Sequence, residues 1–503
     1  MPRGRGTASR RGAESRREPH LGGELVALAS DLADLPLAAL VDLLAQEIVA
    51  AFGDSVLVVH AGGAAPRAPT ADQHGVFHVD GAAADPGIFA RDFDYLLLDG
   101  FAPEEVTADL QVTIDGRSPL PRARGSPRTL VTVLIDDRLP TAPTLEGIPG
   151  PAIDGGVHFT PCPLRLDCDA VAARWRPGVA LATFDDSIRD SLARWARAIT
   201  GRRVGVALSG GGAWGFYHVV ALRRLVAAGV PIDIISSASM GSAVGAYFSA
   251  RGLPGLDQLI DFATRRLFNL DWMAAACTVS SAAMELAIRL ELGAPYLEQL
   301  TPRFHPVATN LTDGHCLVAT GGPLGLAVRA SASAPGLWAP TLLGGRQYVD
   351  GSVCAQVPAG VLRQLGADLT LALNCYPYAT RHHQPLLPGP IGRFLHALNP
   401  LARVEDMACS GSLMLHRNGD LEGGAAEVFF ALQEAGPPLR GAGAFHRARE
   451  LIRCAEADAV LAEKVELVAA HWQRLRRRRH PRSRLRLVPA PIEGNTAPLP
   501  ATG

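Results

Sequence analysis

Lysine is nearly absent from this chain. Lys464 is the only one, so arginine supplies all the other basic residues. A replacement this uniform is read as the codon usage of a GC-rich genome rather than as a phosphate-binding surface. Charged residues are sparse, at 19%, and 48% of the 503 residues are hydrophobic, which excludes a disordered chain and a coiled-coil rod. No apolar run approaches the 18 residues a membrane-spanning helix needs. The eight cysteines run from Cys162 to Cys454. Their one close pair, Cys162 and Cys168, lacks a His/Cys partner cluster, so neither a zinc site nor a disulfide framework is expected. The phosphate-loop pattern G-x-x-x-x-G-K-[ST] is missing, and no strand-bound G-x-G-x-x-G stands in the first 185 residues.

The charge that is present is unevenly placed. Residues 1–20 hold six Arg and two Glu, and residues 474–486 hold eight Arg and no acid, although the whole chain is at −1. The body is therefore acidic, which argues against nucleic acid as a partner. Ser15-Arg16-Arg17 has the look of a twin-arginine start, but Glu24, Asp31 and Asp34 interrupt the apolar stretch an export signal requires. The expectation is a cytoplasmic protein with disordered basic ends at 1–20 and 481–503.

Residues 21–185 read as a small α/β domain of unassigned role. It has helical spacing over 21–51, carried by Leu37, Leu40, Val41, Leu44 and Ile48, and apolar strands at 55–60, 94–99 and 130–136. Asp185-Asp186 read as the cap of a helix reaching Thr200. Residues 441–480 read as a helical extension, with Leu461, Val465, Val468, Trp472 and Leu475 on one seam that runs into the arginines. A basic amphipathic helix of that kind fits the surface of an anionic membrane, and equally a packed seam followed by a solvated tail.

The informative stretch is 186–440. Val204–Leu208 reads as a strand, Ser209-Gly210-Gly211-Gly212-Ala213-Trp214-Gly215 as a glycine loop and Phe216–Ala228 as a helix closed by Gly229. A second strand, Ile232–Ser236, then meets the turn Ser237-Ala238-Ser239-Met240-Gly241 and another helix. This is a parallel α/β unit with right-handed crossovers. Further strands are expected at 307–309, 315–319, 326–329, 348–349 and 369–373. Glycines after a buried strand expose backbone N–H groups that suit a phosphate or an oxyanion, and alone they also fit a dinucleotide loop or a plain turn. Ser239 stands on a sharp strand-to-helix turn, as an exposed nucleophile does. Asp350-Gly351 follows the strand-like Gln347-Tyr348-Val349, where a carboxylate base is placed as well as a hairpin turn would be.

In this chain order the three features resemble the patatin-like phospholipase family. Pro306–Thr312 looks like its middle strand, and Arg329–Pro340 is similar to the segment leading to its catalytic Asp. The resemblance covers about 201–376, and the helix entering Gly201-Arg202-Arg203 looks like the bacterial branch related to neuropathy target esterase. It implies a three-layer α/β/α domain and a serine esterase of the lysophospholipase or phospholipase A type. Ser239 would be the nucleophile, Asp350 its base, and the N–H groups of Gly210, Gly211 and Gly212 the oxyanion hole. No metal and no cofactor is implied. The implied partners are a phospholipid or lysophospholipid and, peripherally, the anionic inner membrane surface. The alternatives are a weakly catalytic lipid-binding scaffold and an acyltransferase using the same acyl-enzyme. His218 matches a family position and is read as a packing residue. Three positions depart from the pattern: Ser237 for Gly, Ser352 for a smaller residue, and Trp214 for Arg or Lys. The upstream cyclic-nucleotide modules of larger relatives are not found, since Gly23-Glu24-Leu25 has no basic partner close behind.

Overall fold

A computed structural model describes residues 23–30, 35–61, 68–80, 89, 92–99, 109–115, 128–134, 144–149, 162–164, 167–377, 400–433 and 443–478. The terminal tails expected at 1–20 and 481–503, and the arginines beyond 478, lie outside these residues.

The chain builds two sheets. The first holds β1 (Glu24–Ser30), β2 (Val56–His60), β3 (Thr70–Ala71), β4 (Phe77–Asp80), β5 (Tyr95–Asp99), β6 (Leu110–Asp115), β7 (Arg128–Leu134) and β9 (Cys162–Leu164), in the order β3-β4-β2-β5-β1-β6-β7-β9. All its pairings except β3 with β4 are parallel. The expected helix over 21–51 therefore divides. Residues 24–30 form the strand between β5 and β6, and only α1 (Leu37–Phe52) is helical. The physical reason is visible in the residues. Leu25-Val26-Ala27-Leu28 is a continuous apolar run buried on both sides, while the three- and four-residue spacing begins at Leu37. Gly53, at φ 70, closes α1 with its N–H on the Val49 carbonyl. The helix α2 (Cys168–Arg174) precedes α3 (Asp186–Ile199), which is capped by the Asp185 carboxylate on the Ile188 N–H at 3.0 Å. That helix, read as the start of the second unit, buries Ile188, Leu192, Trp195 and Ile199 in the core of the first sheet beside Leu40 and Leu44.

The second sheet is built on β10 (Val204–Leu208), β11 (Ile234–Ser237), β12 (Arg303–Asn310), β13 (Cys316–Gly321), β14 (Thr341–Leu343), β15 (Arg346–Asp350), β16 (Leu369–Asn374) and β17 (Val428–Ala431). Its order is β14-β15-β12-β11-β10-β16-β17, with β13 on β12, and β8 (Glu146–Pro149) adds to β13. The run β12-β11-β10-β16-β17 is parallel, and β15 returns antiparallel to β12. Alternate β10 residues enter different cores. Val204, Val206 and Leu208 meet α4 (Phe216–Ala227) and α5 (Met240–Thr264), and Ala207 meets the side holding α9 (Ala359–Gln364). α5 is interrupted at Gly252, where φ is 62. Residues 326–329, expected as a strand, lie inside the helix α8 (Leu324–Ala332), because a short apolar run fits either state and the chain enters it from Pro323. The helices α6 (Leu270–Cys277) and α7 (Ala282–Leu292) pack between α5 and α8.

After α10 (Pro400–Gly423), the expected long C-terminal helix is broken into α11 (Ala448–Ala457) and α12 (Ala459–Arg476). Its seam is buried. Leu461, Val465, Val468 and Trp472 all lie in the core of the second sheet, so this face has no membrane to meet. Arg202 fastens the parts together. Its guanidinium pairs with Asp54 at 2.8 Å, stacks 4.4 Å from the centre of the Phe52 ring, and donates to the carbonyls of Leu475 and Arg478 at 3.2 and 2.6 Å. No helix among the described residues is long and apolar enough to cross a membrane.

Candidate active site

The parallel strands deliver three chain segments to one edge of the second sheet. Beyond β10, Ser209 donates to the Gly210 carbonyl at 2.7 Å and accepts from the Cys375 N–H at 2.9 Å, which fixes the start of the glycine loop. A β-carbon on Gly210 would stand 2.1 Å from Ser352 Oγ and 3.2 Å from the β-carbon of Ser239, so a larger residue there would have to push Ser352 aside. The Gly210 N–H donates to the Gln356 carbonyl at 3.2 Å, and Gln356 Nε2 returns a bond to the Gly210 carbonyl at 3.1 Å. Gly210, expected as one of three oxyanion donors, thus has its N–H engaged. The N–H groups of Gly211 and Gly212 have no protein acceptor among the described residues.

Beyond β11, Ser239 adopts φ 51 and ψ −122 directly before α5. A positive φ on a residue with a β-carbon costs about 1–3 kcal/mol and persists where surroundings enforce it. Here they do. The Ser239 N–H is held by the Ser331 carbonyl at 3.1 Å, and the Ala238 N–H by Leu208 at 3.0 Å. A β-carbon on Gly241 would lie 2.4 Å from the Leu208 carbonyl oxygen, so the first turn of α5 sits hard against the end of β10. The Ser237 departure is accommodated by a buried chain of hydroxyls, Ser237 to Ser242 at 2.8 Å and Ser242 to Ser331 at 2.7 Å.

Asp350 closes β15 opposite Ala308, and is buried. Its carboxylate accepts from the Ser352 N–H at 2.8 Å, and the hydroxyls of Ser239 and Ser352 stand beside it. Burial pushes this carboxyl above the usual aspartate range, and the three donors pull back against the rise. No cation pairs with it among the described residues. Gly351 must be glycine, since a β-carbon would stand 2.1 Å from the Val307 carbonyl oxygen. Ser239 and Asp350, 111 positions apart in the sequence, are thereby brought side by side without an intervening imidazole. His218 is elsewhere. Its Nε2 faces the Ser209 carbonyl at 3.0 Å and its Nδ1 faces Cys375 Sγ at 3.3 Å. Burial holds it down to about 4, so it is a neutral packing residue.

Four features escaped the sequence reading. Gln356 is fully buried, clamps the glycine loop, and carries an Oε1 with no partner. Glu422 of α10 accepts the Val357 N–H at 2.7 Å, and burial pushes it up to about 7. Cys316 and Cys354 form a disulfide, which joins β13 to the turn after Asp350, against the expectation of none. Trp214, read as a neutral stand-in for a charge beside the oxyanion, is buried edge-on to Tyr376 at 5.8 Å within the core. Only long-range pairing reveals these four, because no local spacing encodes it. Away from this edge, Asp42, Asp72 and His78 are the one group among the described residues that could hold a metal ion, with ligand atoms within 4.8 Å of one another. His78 Nε2 stands 3.9 Å from Asp42 and 3.6 Å from Asp72.

Comparison with known proteins bears on this same segment. Residues 206–363 match the family model for patatin-like phospholipase. An uncharacterized NTE family protein of Mycobacterium tuberculosis is 34% identical over 181 residues, 35% of this chain and 50% of that protein. A patatin-like phospholipase domain-containing protein of Caenorhabditis elegans is 30% identical over 200 residues, 37% of this chain and 14% of its own. A lysophospholipase of Kluyveromyces lactis, NTE1, is 26% identical over 229 residues, 43% of this chain and 16% of its own. The matched stretch spans half or less of each of these relatives' length.

Proposed function

From the premise that this chain carries a patatin-like phospholipase domain with NTE family relatives, we propose that it hydrolyses acyl esters of lipids, as a lysophospholipase or phospholipase A, through a Ser239–Asp350 dyad. One observation carries the reading. A serine held at a positive φ at a helix start stands beside a buried carboxylate that no cation among the described residues neutralises. Such a carboxylate, raised by burial, is a better base than an exposed one. Ser239 Oγ attacks the ester carbonyl as its proton passes to Asp350. The negative charge that develops on the carbonyl oxygen faces the unengaged N–H groups of Gly211 and Gly212 and the start of α5. Asp350 returns the proton to the leaving alcohol, then takes one from water as that water attacks the acyl group and hands it to Ser239 Oγ as the fatty acid leaves.

The test is hydrolysis of a lysophospholipid and of a soluble short-chain ester. Ser239→Ala and Asp350→Asn each lower turnover by about a thousandfold or more, and the double variant is no worse than either single one. Wild-type turnover in Ser239→Ala would sink the dyad. Fatty acid transferred to an added lysolipid in preference to water would make the chain an acyltransferase.

A further inference from the structure

We propose that the surface formed by residues 265–290, at the end of α5 and along α6 and α7, docks on an anionic lipid surface. The inference rests on the lipid substrate proposed above. Leu267, Phe268, Trp272, Val279, Leu286 and Leu290 are all exposed there, Phe268 by 80% and Val279 by 87%. Single exposed apolar residues are ordinary, but six within 24 positions are not. Among the described residues Phe268 is also one of two non-glycine residues with a positive φ, at 52, the other being Ser239. For a bulky side chain this conformation is an outlier. It is built in rather than loose. The Asn269 side chain accepts the Trp272 N–H at 3.0 Å and donates to the Arg265 carbonyl at 2.9 Å, which clamps the turn from both ends. The clamp presents the Phe268 and Trp272 rings side by side, with centroids 6.4 Å apart. A strained, rigid pair of exposed aromatics suits a boundary that is apolar on one side and wet on the other.

The charges select the partner. The acids of this stretch each have an internal partner. Asp271 binds the backbone N–H groups of Phe445 and His446 and the His446 ring, Glu285 binds Arg329, and Glu291 binds Arg265. Arg266 and Arg289 have no partner among the described residues. What faces outward is apolar area with uncompensated positive charge, which is complementary to anionic headgroups over an acyl layer. The surface also stands close behind the nucleophile. Arg329 of α8 bonds Ser281 and Glu285 of the α7 region at 3.0 and 3.2 Å, and α8 ends at Ser331 and Ala332, with the Ser331 carbonyl holding the Ser239 N–H.

Co-sedimentation with phosphatidylcholine vesicles, with and without phosphatidylglycerol, tests the proposal on the full chain. Phe268→Asn with Trp272→Ser lowers partitioning by at least about tenfold, and asparagine keeps the left-handed turn. Arg266→Gln with Arg289→Gln lowers binding to anionic vesicles by about fivefold per arginine, weakens its salt sensitivity, and leaves binding to neutral vesicles unchanged. All variants hydrolyse the soluble ester at the wild-type rate. Unchanged vesicle binding in both pairs overturns the docking surface. So does a loss of self-association without a loss of vesicle binding, which would make this face a contact between copies. If the aromatic pair fails to fold by near-ultraviolet circular dichroism, the arginine pair decides alone. A wild-type chain that binds vesicles through these residues yet hydrolyses no ester would refute the proposed chemistry and leave the docking standing.

Discussion

Asp99 and Asp350 each end a strand, and they are treated in opposite ways. Asp99, in the first sheet, faces His60 at 2.9 Å, and the pair raises the imidazole. Asp350, in the second, has hydroxyls and an amide beside it but no cation among the described residues, and it is the carboxyl that is raised. A carboxylate paired with an imidazole does structural service, whereas one left without a cation beside a serine suits the proposed role of base. Beside Asp350 and Ser239, Gly351 and Gly241 are places where a β-carbon would strike backbone oxygen.

The contrast can be broken most severely at the close approach. Gly351→Ala forces a methyl onto the Val307 carbonyl and should cost about 3 kcal/mol and nearly all ester hydrolysis. The partner change, His60→Ala, removes a partly exposed pair. It should cost about 1 kcal/mol or less and leave turnover intact. Thermal unfolding and turnover per folded molecule compare the two, and loss of turnover in His60→Ala would end the division of roles.

A finer change concerns the Ser352 hydroxyl, one of the donors that stabilise ionised Asp350. Ser352→Ala removes it while keeping the backbone N–H, so the carboxyl rises further and the acid limb of kcat/KM moves up by about one pH unit. A pH–rate profile that does not move would exclude Ser352 from tuning the base.

The smallest effects are in the pH dependence of stability, and both come from groups raised on folding. Asp350 favours the fold while protonated, so the stability it contributes is complete below its ordinary 3.8 and is lost as pH rises through its folded value. The melting temperature of Asp350→Asn relative to wild type should therefore climb as pH rises from about 4. His60 contributes fully below its ordinary 6.5 and loses that contribution as pH rises past its folded value, so the deficit of His60→Ala should shrink toward alkaline pH. Two flat differences would mean that neither burial nor pairing shifts these groups.

The sequence made the candidate catalytic edge unusually legible, because its parts are local. Strand, glycine loop, helix, strand, serine turn and helix occur within 48 residues, and Val204–Leu208 falls where the pattern puts it. Gly229, read as a helix stop, has φ 67. What resisted reading depends on what covers a face. The seam from Leu461 to Trp472 has an amphipathic spacing that fits a membrane or a core, and tertiary packing chose the core. Trp214 stood out only against the Arg or Lys of the family it resembles, and its packing on Tyr376 is set by a contact 162 positions away in sequence. Residues 24–30 lost to helical spacing because a strand buried on both faces has no period of its own. Gln356 and the Cys316–Cys354 bond follow from strand register, which no single stretch of chain contains.

Arg202 bears on how such a chain could be divided or inherited. The family match begins at residue 206, four positions later, as if a portable segment started there. Yet the guanidinium just upstream is buried between Asp54 and Phe52 on one side and the last turn of α12 on the other. A chain started between the two sheets would leave this cation buried without its carboxylate, a loss that costs about 3–5 kcal/mol, and would uncover the apolar face of α3. The border drawn by ancestry and the border at which the molecule would come apart are therefore different places. A protease or a recombination event acting at the first would meet the resistance of the second.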